Sequence, residues 1–317
     1  MSDNPDLQVI TEQLRSIRPL TKDGLRNYIK VFLGVDVPDK TMTQGHSSPM
    51  DYLWFSFNSD FETEKPQNAD CVVWANRTGG KTRTAAILTL LDAVFKPEIQ
   101  IRILSGSGYQ AGRMYDYFEK FIEANYSDAV LSTKTHPAKR TIFKNGASVE
   151  VLVQTEISVR GQHVHKLRCD EVELFKPRVY EAAQYTTISN KGYVAAREVI
   201  STMHRPRGLM SRLIKEARRS GQRIFKWNLW DVIAKCEREC KTCPLNDECH
   251  GRAQKATGYY KVQDALTQLE RAKQRSFYME MLCEEGEKKN GDGIRGHGFI
   301  DYVDSFYQQF TLREQKR

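Results

Sequence analysis

The chain has 317 residues, of which 40% are hydrophobic and 28% charged, and a formal net charge of +8. That composition supplies a packed core and excludes a disordered, collagen-like or low-complexity chain. The longest apolar run, 87–95, is broken by Thr89 and Asp92 and is far shorter than the ~18 residues that cross a bilayer, and the first ten residues are polar and acidic, unlike a signal peptide. A soluble intracellular protein with no membrane partner is expected.

Apolar residues at Leu7, Ile10 and Leu14, then Leu25, Tyr28, Ile29 and Phe32, recur with a helical period and predict a helical lead-in over 1–45. A buried strand is predicted over 71–75, followed by a helix over 80–95 that Pro97 stops. Next come a strand over 101–104 and a helix over 108–124, with Met114, Tyr117, Phe118 and Phe121 on one side. Segments 141–143 and 149–153 flank Asn145-Gly146, the dipeptide favoured in a type I′ hairpin turn. Strands are also predicted over 164–169 and 194–201, with a helix from Pro177 to about 187 between them. Strands alternating with helices predict an α/β fold, a mostly parallel sheet covered by helices on both faces. Past 204 the pattern changes to a basic helix over 209–220, a strand over 224–229, a cysteine cluster, a helix near 262–282 and a charged, glycine-rich stretch over 284–298.

The sharpest local signal is Asn76-Arg77-Thr78-Gly79-Gly80-Lys81-Thr82, set between a strand and a helix. Backbone N–H groups at a helix N-terminus hold phosphate oxygens. In such a Walker A-type loop Lys81 would reach the β- and γ-phosphates and Thr82 would ligate Mg2+. Ala75 stands where the standard G-x-x-x-x-G-K-[ST] pattern has its first glycine. Arg77 either contacts the γ-phosphate or is an ordinary surface arginine. A second strand ends in Cys169-Asp170-Glu171, 89 residues after Lys81, although Lys166 and Arg168 interrupt its apolar pattern. Asp170 would hold Mg2+ and Glu171 would polarise the attacking water, as a Walker B pair does. Ser201-Thr202 end the next strand, where hydroxyls sense a γ-phosphate or simply cap the strand. Gln44 lies upstream of the loop, a place from which adenine can be read.

Between Arg205 and Lys226 there are eight basic residues and one acid, so the window is +7. Arg212, Lys215, Arg218 and Arg219 on the helix over 209–220 are the candidate contacts to a phosphate backbone, against the alternative of a solvated helix face. Seven cysteines with no secretory signal argue against a disulfide framework. Four of them, Cys236, Cys240, Cys243 and Cys249, fall within 14 residues. Four thiolates in one loop suit a tetrahedral Zn2+ or a [4Fe–4S] cluster, with His250 a possible substitute ligand. Cys71, Cys169 and Cys283 read as plain residues.

Together these motifs resemble the ATPase domain of the large terminase subunit of tailed bacteriophages, over roughly residues 45–300. The loop 76–82 is similar to that family's deviant phosphate loop, which often lacks the first glycine and carries an arginine four residues before the lysine. The stretch 105–111, the Asp170-Glu171 pair and Ser201-Thr202 resemble its later motifs. Arg160-Gly161, eleven residues before Glu171, matches a pair cast there as a trans-acting arginine finger; a structural salt bridge is the alternative. The resemblance implies a RecA-like (ASCE) P-loop NTPase, catalysis by Glu171, Arg77 and Arg160, and a homo-oligomeric ring. It also implies a motor that hydrolyses ATP to drive double-stranded DNA into a procapsid in the host cytoplasm, with the portal protein and small terminase subunit as partners. The organisation expected is a lead-in over 1–45, a P-loop ATPase core over 46–204, a basic lid subdomain with the metal loop over 205–290 and a linker-like tail over 291–317. The family's C-terminal nuclease would begin where this sequence stops, which suggests a truncated chain or a split gene; Asp292, Asp301 and Asp304 remain, but too little chain follows to build a sheet, and nuclease activity is not expected. A helicase-type ATPase and a metal-stapled DNA-binding scaffold with an inactive nucleotide site are the competing functions.

Overall fold

The computed structural model describes residues 5–59, 69–106, 108–136, 138–190 and 192–285, except the side chains of 5–8 and 108–111. The helices are α1 (Pro5–Ser16), α2 (Lys22–Leu33), α3 (Pro49–Asn58), α4 (Lys81–Phe95), α5 (Gly108–Asn125), α6 (Glu156–Arg160), α7 (Pro177–Ala183), α8 (Leu209–Ser220), α9 (Leu229–Val232), α10 (Asn246–Cys249), α11 (Val262–Arg271) and α12 (Gln274–Glu280). The strands are β1 (Cys71–Ala75), β2 (Gln100–Ser105), β3 (Val130–Lys134), β4 (Arg140–Phe143), β5 (Ser148–Val151), β6 (Lys166–Asp170), β7 (Ala196–Ser201) and β8 (Arg223–Trp227). Backbone contacts gather the described residues into one unit. The tail 291–317, with Asp292, Asp301 and Asp304, lies outside the described residues. No described helix is long and apolar enough to cross a membrane.

All eight strands join one sheet in the order β3-β4-β5-β2-β6-β7-β1-β8. Pairing is parallel from β5 through β8, and antiparallel only where β3 and β4 close one edge. Alternation along β1 explains the two covered faces. Cys71, Val73 and Ala75 enter one core with residues of α2, α3, α4 and α5. Val72 and Trp74 enter the other with residues of α6, α7 and α8. The expected α/β sheet with helices on both faces is therefore observed. β8 pairs with β1 along its whole length, so the segment after 204 adds a strand to the same sheet.

Local chemistry sets the helix ends. α3 opens with a capping box in which Ser48 and Asp51 satisfy each other's backbone N–H, with Pro49 in the first turn. α2 stops at Gly34, whose φ of 65° is left-handed. Several details differ from expectation. α7 ends at Ala183, and the helix expected over 262–282 is broken into α11 and α12 after Arg271. β3 is an added edge strand with a mostly exposed, polar sequence. The hairpin turn is closed by the Gly146 N–H donating to Phe143 O, with positive φ at Gly146 and not at Asn145. That is a type I turn with a glycine bulge, so Asn145-Gly146 does not form the two-residue type I′ turn.

The charges that interrupt β6 are neutralised inside the core. Arg168 donates from Nε to Glu198 Oε2 at 3.0 Å and from Nη1 to Thr89 Oγ1 at 2.9 Å, and its Nη2 binds Asp92. Lys166 lies 3.2 Å from Asp92 and 3.4 Å from Glu198, and Lys96 lies 2.6 Å from Asp92. Tyr52 and Ser56 of α3 donate to the same Glu198 carboxylate. Burial opposes ionisation of Glu198, yet Arg168 and Lys166 outweigh it and hold the carboxyl down to about 2.

Arg168→Met removes one cation from this cluster and leaves two carboxylates buried beside Lys96 and Lys166. It is expected to cost about 3–5 kcal/mol, measured as a lower urea midpoint. Because the folded state depresses the Glu198 pKa, its stabilisation is full above the ordinary value of 4.5 and is lost as pH falls toward about 2. Glu198→Gln should flatten the acid-unfolding curve over that window. An unchanged slope would assign acid sensitivity to other groups.

Candidate nucleotide site

The carboxyl ends of β1, β6 and β7 open onto one cavity of about 760 Å³. The loop from Asn76 to Gly80 crosses its floor and delivers the chain into α4. At Gly79 a Cβ would lie 2.2 Å from Asn76 Oδ1 and 2.9 Å from Asn76 O, so no side chain fits. Gly80 caps α4 with φ of 74°, and a Cβ there would lie 2.3 Å from Tyr259 Oη. Ala75, at the place of the pattern's first glycine, is a strand residue paired with Trp227 and packed in the core, so the cradle begins after it. The loop is held from outside: Asn76 N–H donates to Trp227 O at 3.2 Å, Trp227 Nε1 to Gly79 O at 2.8 Å, and Arg77 N–H to Glu280 O at 2.7 Å.

The predicted phosphate and metal residues converge here. Lys81, nearly buried, donates to Thr202 Oγ1 at 2.6 Å and to Asn76 O at 3.1 Å, and lies 3.8 Å from Glu171 Oε1. Thr82 Oγ1 donates to Asp170 Oδ2 at 2.9 Å. Burial and the neighbouring Glu171 raise the Asp170 carboxyl to about 7, against the pull of Lys81 and Thr82. Glu171 stands just past β6 with φ of 53°. Burial would raise its pKa, but His204 and Lys81 prevail and lower it. Ser201 Oγ lies 3.5 Å from Glu171 Oε2 and accepts from the Glu173 N–H. Buried Asn76 Oδ1 finds no partner among the described residues.

Other predicted residues are placed apart. Arg77 lines the cavity, but its guanidinium turns to Glu280 at 2.8 Å. Arg160 is exposed on α6, paired loosely with Glu156 at 3.4 Å, and does not line the cavity. Arg212, Lys215, Arg218 and Arg219 share the exposed side of α8, whose Met210, Leu213, Ile214 and Ala217 are buried, and Arg218 pairs with Glu285 at 2.7 Å. The four clustered cysteines line one small cavity of about 20 Å³, and His250 does not. Ala253 N–H donates to Cys249 Sγ at 3.4 Å and Gln254 Nε2 to Cys240 Sγ at 3.3 Å. Among the described residues no three His, Cys, Asp or Glu side chains are disposed to hold a metal ion. Cys71, Cys169 and Cys283 are buried, and burial pushes the last two thiols up to about 12.

Several site residues carried no local signal. Val35, Val37, Pro38, Ile87, Tyr117 and Tyr259 also line the cavity, and Gln44 does not. Glu280 lies 203 residues from the arginine it binds. Glu173 lines the cavity and also accepts the Met210 N–H of α8 at 2.7 Å.

Nucleotide at a hundredfold excess over Kd is expected to raise the Tm by roughly 5 °C. Lys81→Ala should abolish that rise, and Gly79→Ala should weaken it. An equal shift in Lys81→Ala would mean that phosphates bind elsewhere.

Residues 75–230 match a family described as terminase large subunit, T4likevirus-type, N-terminal. Among solved structures, the HK97 bacteriophage large terminase is 16% identical, covers 84% of this chain and 55% of its own, and superposes with a TM-score of 0.55. The large terminase of the thermophilic bacteriophage D6E, in complex with ADP, is 10% identical over 63% of this chain and 48% of its own, with a TM-score of 0.45. The large terminase ATPase domain of Thermus phage P74-26 is 13% identical over 68% of this chain and 88% of its own, with a TM-score of 0.42. The chain spans about half the length of the HK97 and D6E proteins. No curated protein matches it. The segment 75–230, just under half of the chain, carries the Gly-Lys-Thr loop, the acidic strand end and the Ser-Thr strand end, and is similar to the N-terminal domain family of terminase large subunits.

Proposed function

We propose that this chain is the ATP-hydrolysing part of a motor that moves double-stranded DNA into a viral procapsid. One observation carries the reading: Lys81, Thr82, Asp170, Glu171 and Thr202 meet at one sheet edge although the sequence scatters them over 122 positions. Loop N–H groups and the α4 N-terminus would bind the phosphates, with Lys81 between β and γ. Thr82 and Asp170 offer the hard oxygen donors that suit Mg2+. When bound, Mg2+ would neutralise charge developing on the phosphate oxygens. Glu171 would orient the attacking water and receive its proton, while Thr202 and Ser201 register whether a γ-phosphate is present. The base would lie against apolar lining such as Val37 and Tyr259.

The further parts of the motor follow from the same reading. Arg160, exposed and outside its own cavity, suits a finger supplied to a neighbour in a ring. The exposed cations of α8 would hold DNA through phosphates, without sequence readout. Portal protein and small terminase subunit would be its partners in the host cytoplasm. The four cysteines line one cavity without being disposed around an ion, so binding a structural Zn2+, a [4Fe–4S] cluster being the alternative, would have to draw them together; two sulfurs already accept N–H bonds of the kind that stabilise metal-bound thiolates.

Steady-state ATP hydrolysis across a protein concentration series tests the motor. The rate should rise faster than linearly and vanish in Glu171→Gln; a rate equal to the mutant's throughout would sink it. For DNA, Arg212→Gln with Arg219→Gln should reduce the slope of log affinity against log salt by about two. Metal analysis should find about one zinc per chain. Iron with sulfide would reassign the site, and four reactive thiols without metal would remove it.

A further inference from the structure

Glu280 brings a negative charge to the phosphate end of the cavity, where a nucleotide would also be negative. Its carboxylate is fixed by several contacts. Oε2 accepts from Arg77 Nη1 at 2.8 Å and lies 3.7 Å from His204 Nδ1, while Oε1 accepts from Ser276 Oγ at 3.2 Å. Helix α12 is itself anchored. Phe277 is buried, Tyr278 Oη donates to Glu248 Oε1 at 2.7 Å, and Leu229 N–H donates to Met281 O at 2.9 Å. The carboxylate is therefore poorly placed to withdraw. Arg77 is the more accessible partner, with 66% of its side chain exposed against 21% for Glu280. The loop backbone stays in place independently, through the Arg77 N–H to Glu280 O bond.

The geometry points to Glu280 as a built-in competitor that occupies Arg77 until a nucleotide γ-phosphate displaces it. The inference rests on the nucleotide-binding reading above and names the residue that sets selectivity at that site. A guanidinium binds carboxylate and phosphate through the same fork of donors, so one arginine serves either anion. A nucleoside triphosphate places its last phosphate within reach of Arg77 and must first part it from Glu280. A diphosphate lacks that phosphate and leaves the pair intact. Glu280 thus weakens triphosphate binding selectively, and release of the γ-phosphate returns Arg77 to Glu280.

The test is isothermal titration of the full chain with Mg-ATPγS and with Mg-ADP. Glu280→Gln keeps the backbone contact and the side-chain shape but removes the charge. It should tighten ATPγS binding about threefold to tenfold while changing ADP binding less than twofold. In an Arg77→Ala background the gain should disappear. Ser276→Ala, which frees one carboxylate oxygen without touching Arg77, should give a smaller gain in the same direction and serves if Glu280→Gln does not fold. Unchanged or weaker ATPγS binding, equal tightening for ADP, or a gain that persists without Arg77 would each overturn the proposal. If the parent bound neither nucleotide, the nucleotide-binding reading would fail and this proposal with it, whereas normal parent binding without the Glu280→Gln gain would overturn the proposal alone.

Discussion

Two cations on one strand, Lys166 and Arg168, are buried opposite two carboxylates, Asp92 on α4 and Glu198 on β7. Charges removed from water are costly unless they are paired and hydrogen-bonded, and in this cluster each is paired. That arrangement fixes α4 against β6 and β7 at once. α4 begins with Lys81 and Thr82, β6 ends at Asp170, and β7 leads into Thr202. Locking the helix to both strands by their middles sets where their ends meet, at 2.6 Å for Lys81 and Thr202 and 2.9 Å for Thr82 and Asp170. An apolar core would tolerate small slides of the helix, but a fork of guanidinium donors does not.

How much of this the sequence discloses depends on how local each cause is. The phosphate loop is legible because its needs are adjacent: glycine where no side chain fits, lysine and threonine at the first helical turn. The acidic strand end is legible by order and spacing. Lys166 and Arg168 look like flaws in a strand because their partners lie 30 to 110 residues away. Glu280 is invisible for the same reason. β3 escapes because only Val130 of its five residues packs against the core while the apolar Leu131 is exposed, so the sequence shows no apolar alternation. The turn at Asn145-Gly146 is right in place and wrong in type, since the dipeptide permits positive φ at both residues while the chain uses it only at glycine.

The segment after Arg205 is read from sequence mainly as charge and cysteines, yet it completes the nucleotide cavity. Trp227 ties both ends of the loop, Tyr259 stands over Gly80, and Glu280 binds Arg77 by side chain and backbone. The cysteine loop joins this frame through Glu248, which accepts from Tyr278 two positions before Glu280. One short helix, α12, thus joins the cysteine loop to Glu280.

The position of Glu171 shows what the scaffold opposes. A glutamate with φ of 53° sits in the left-handed region, at a cost of about 1 kcal/mol or more, and glycine would sit there freely. The gain is direction. β6 would carry the next side chain to the far face of the sheet, and the reversal turns it back so that its carboxylate faces Lys81, Ser201 and His204. Two residues later the same turn places Glu173 on the backbone N–H of Met210, at the start of the basic helix. The conformation that aims the Glu171 carboxylate is thus the one that places Glu173 at the start of α8. One hydrogen bond thus joins the strained turn at Glu171 to the first turn of the helix proposed to hold DNA.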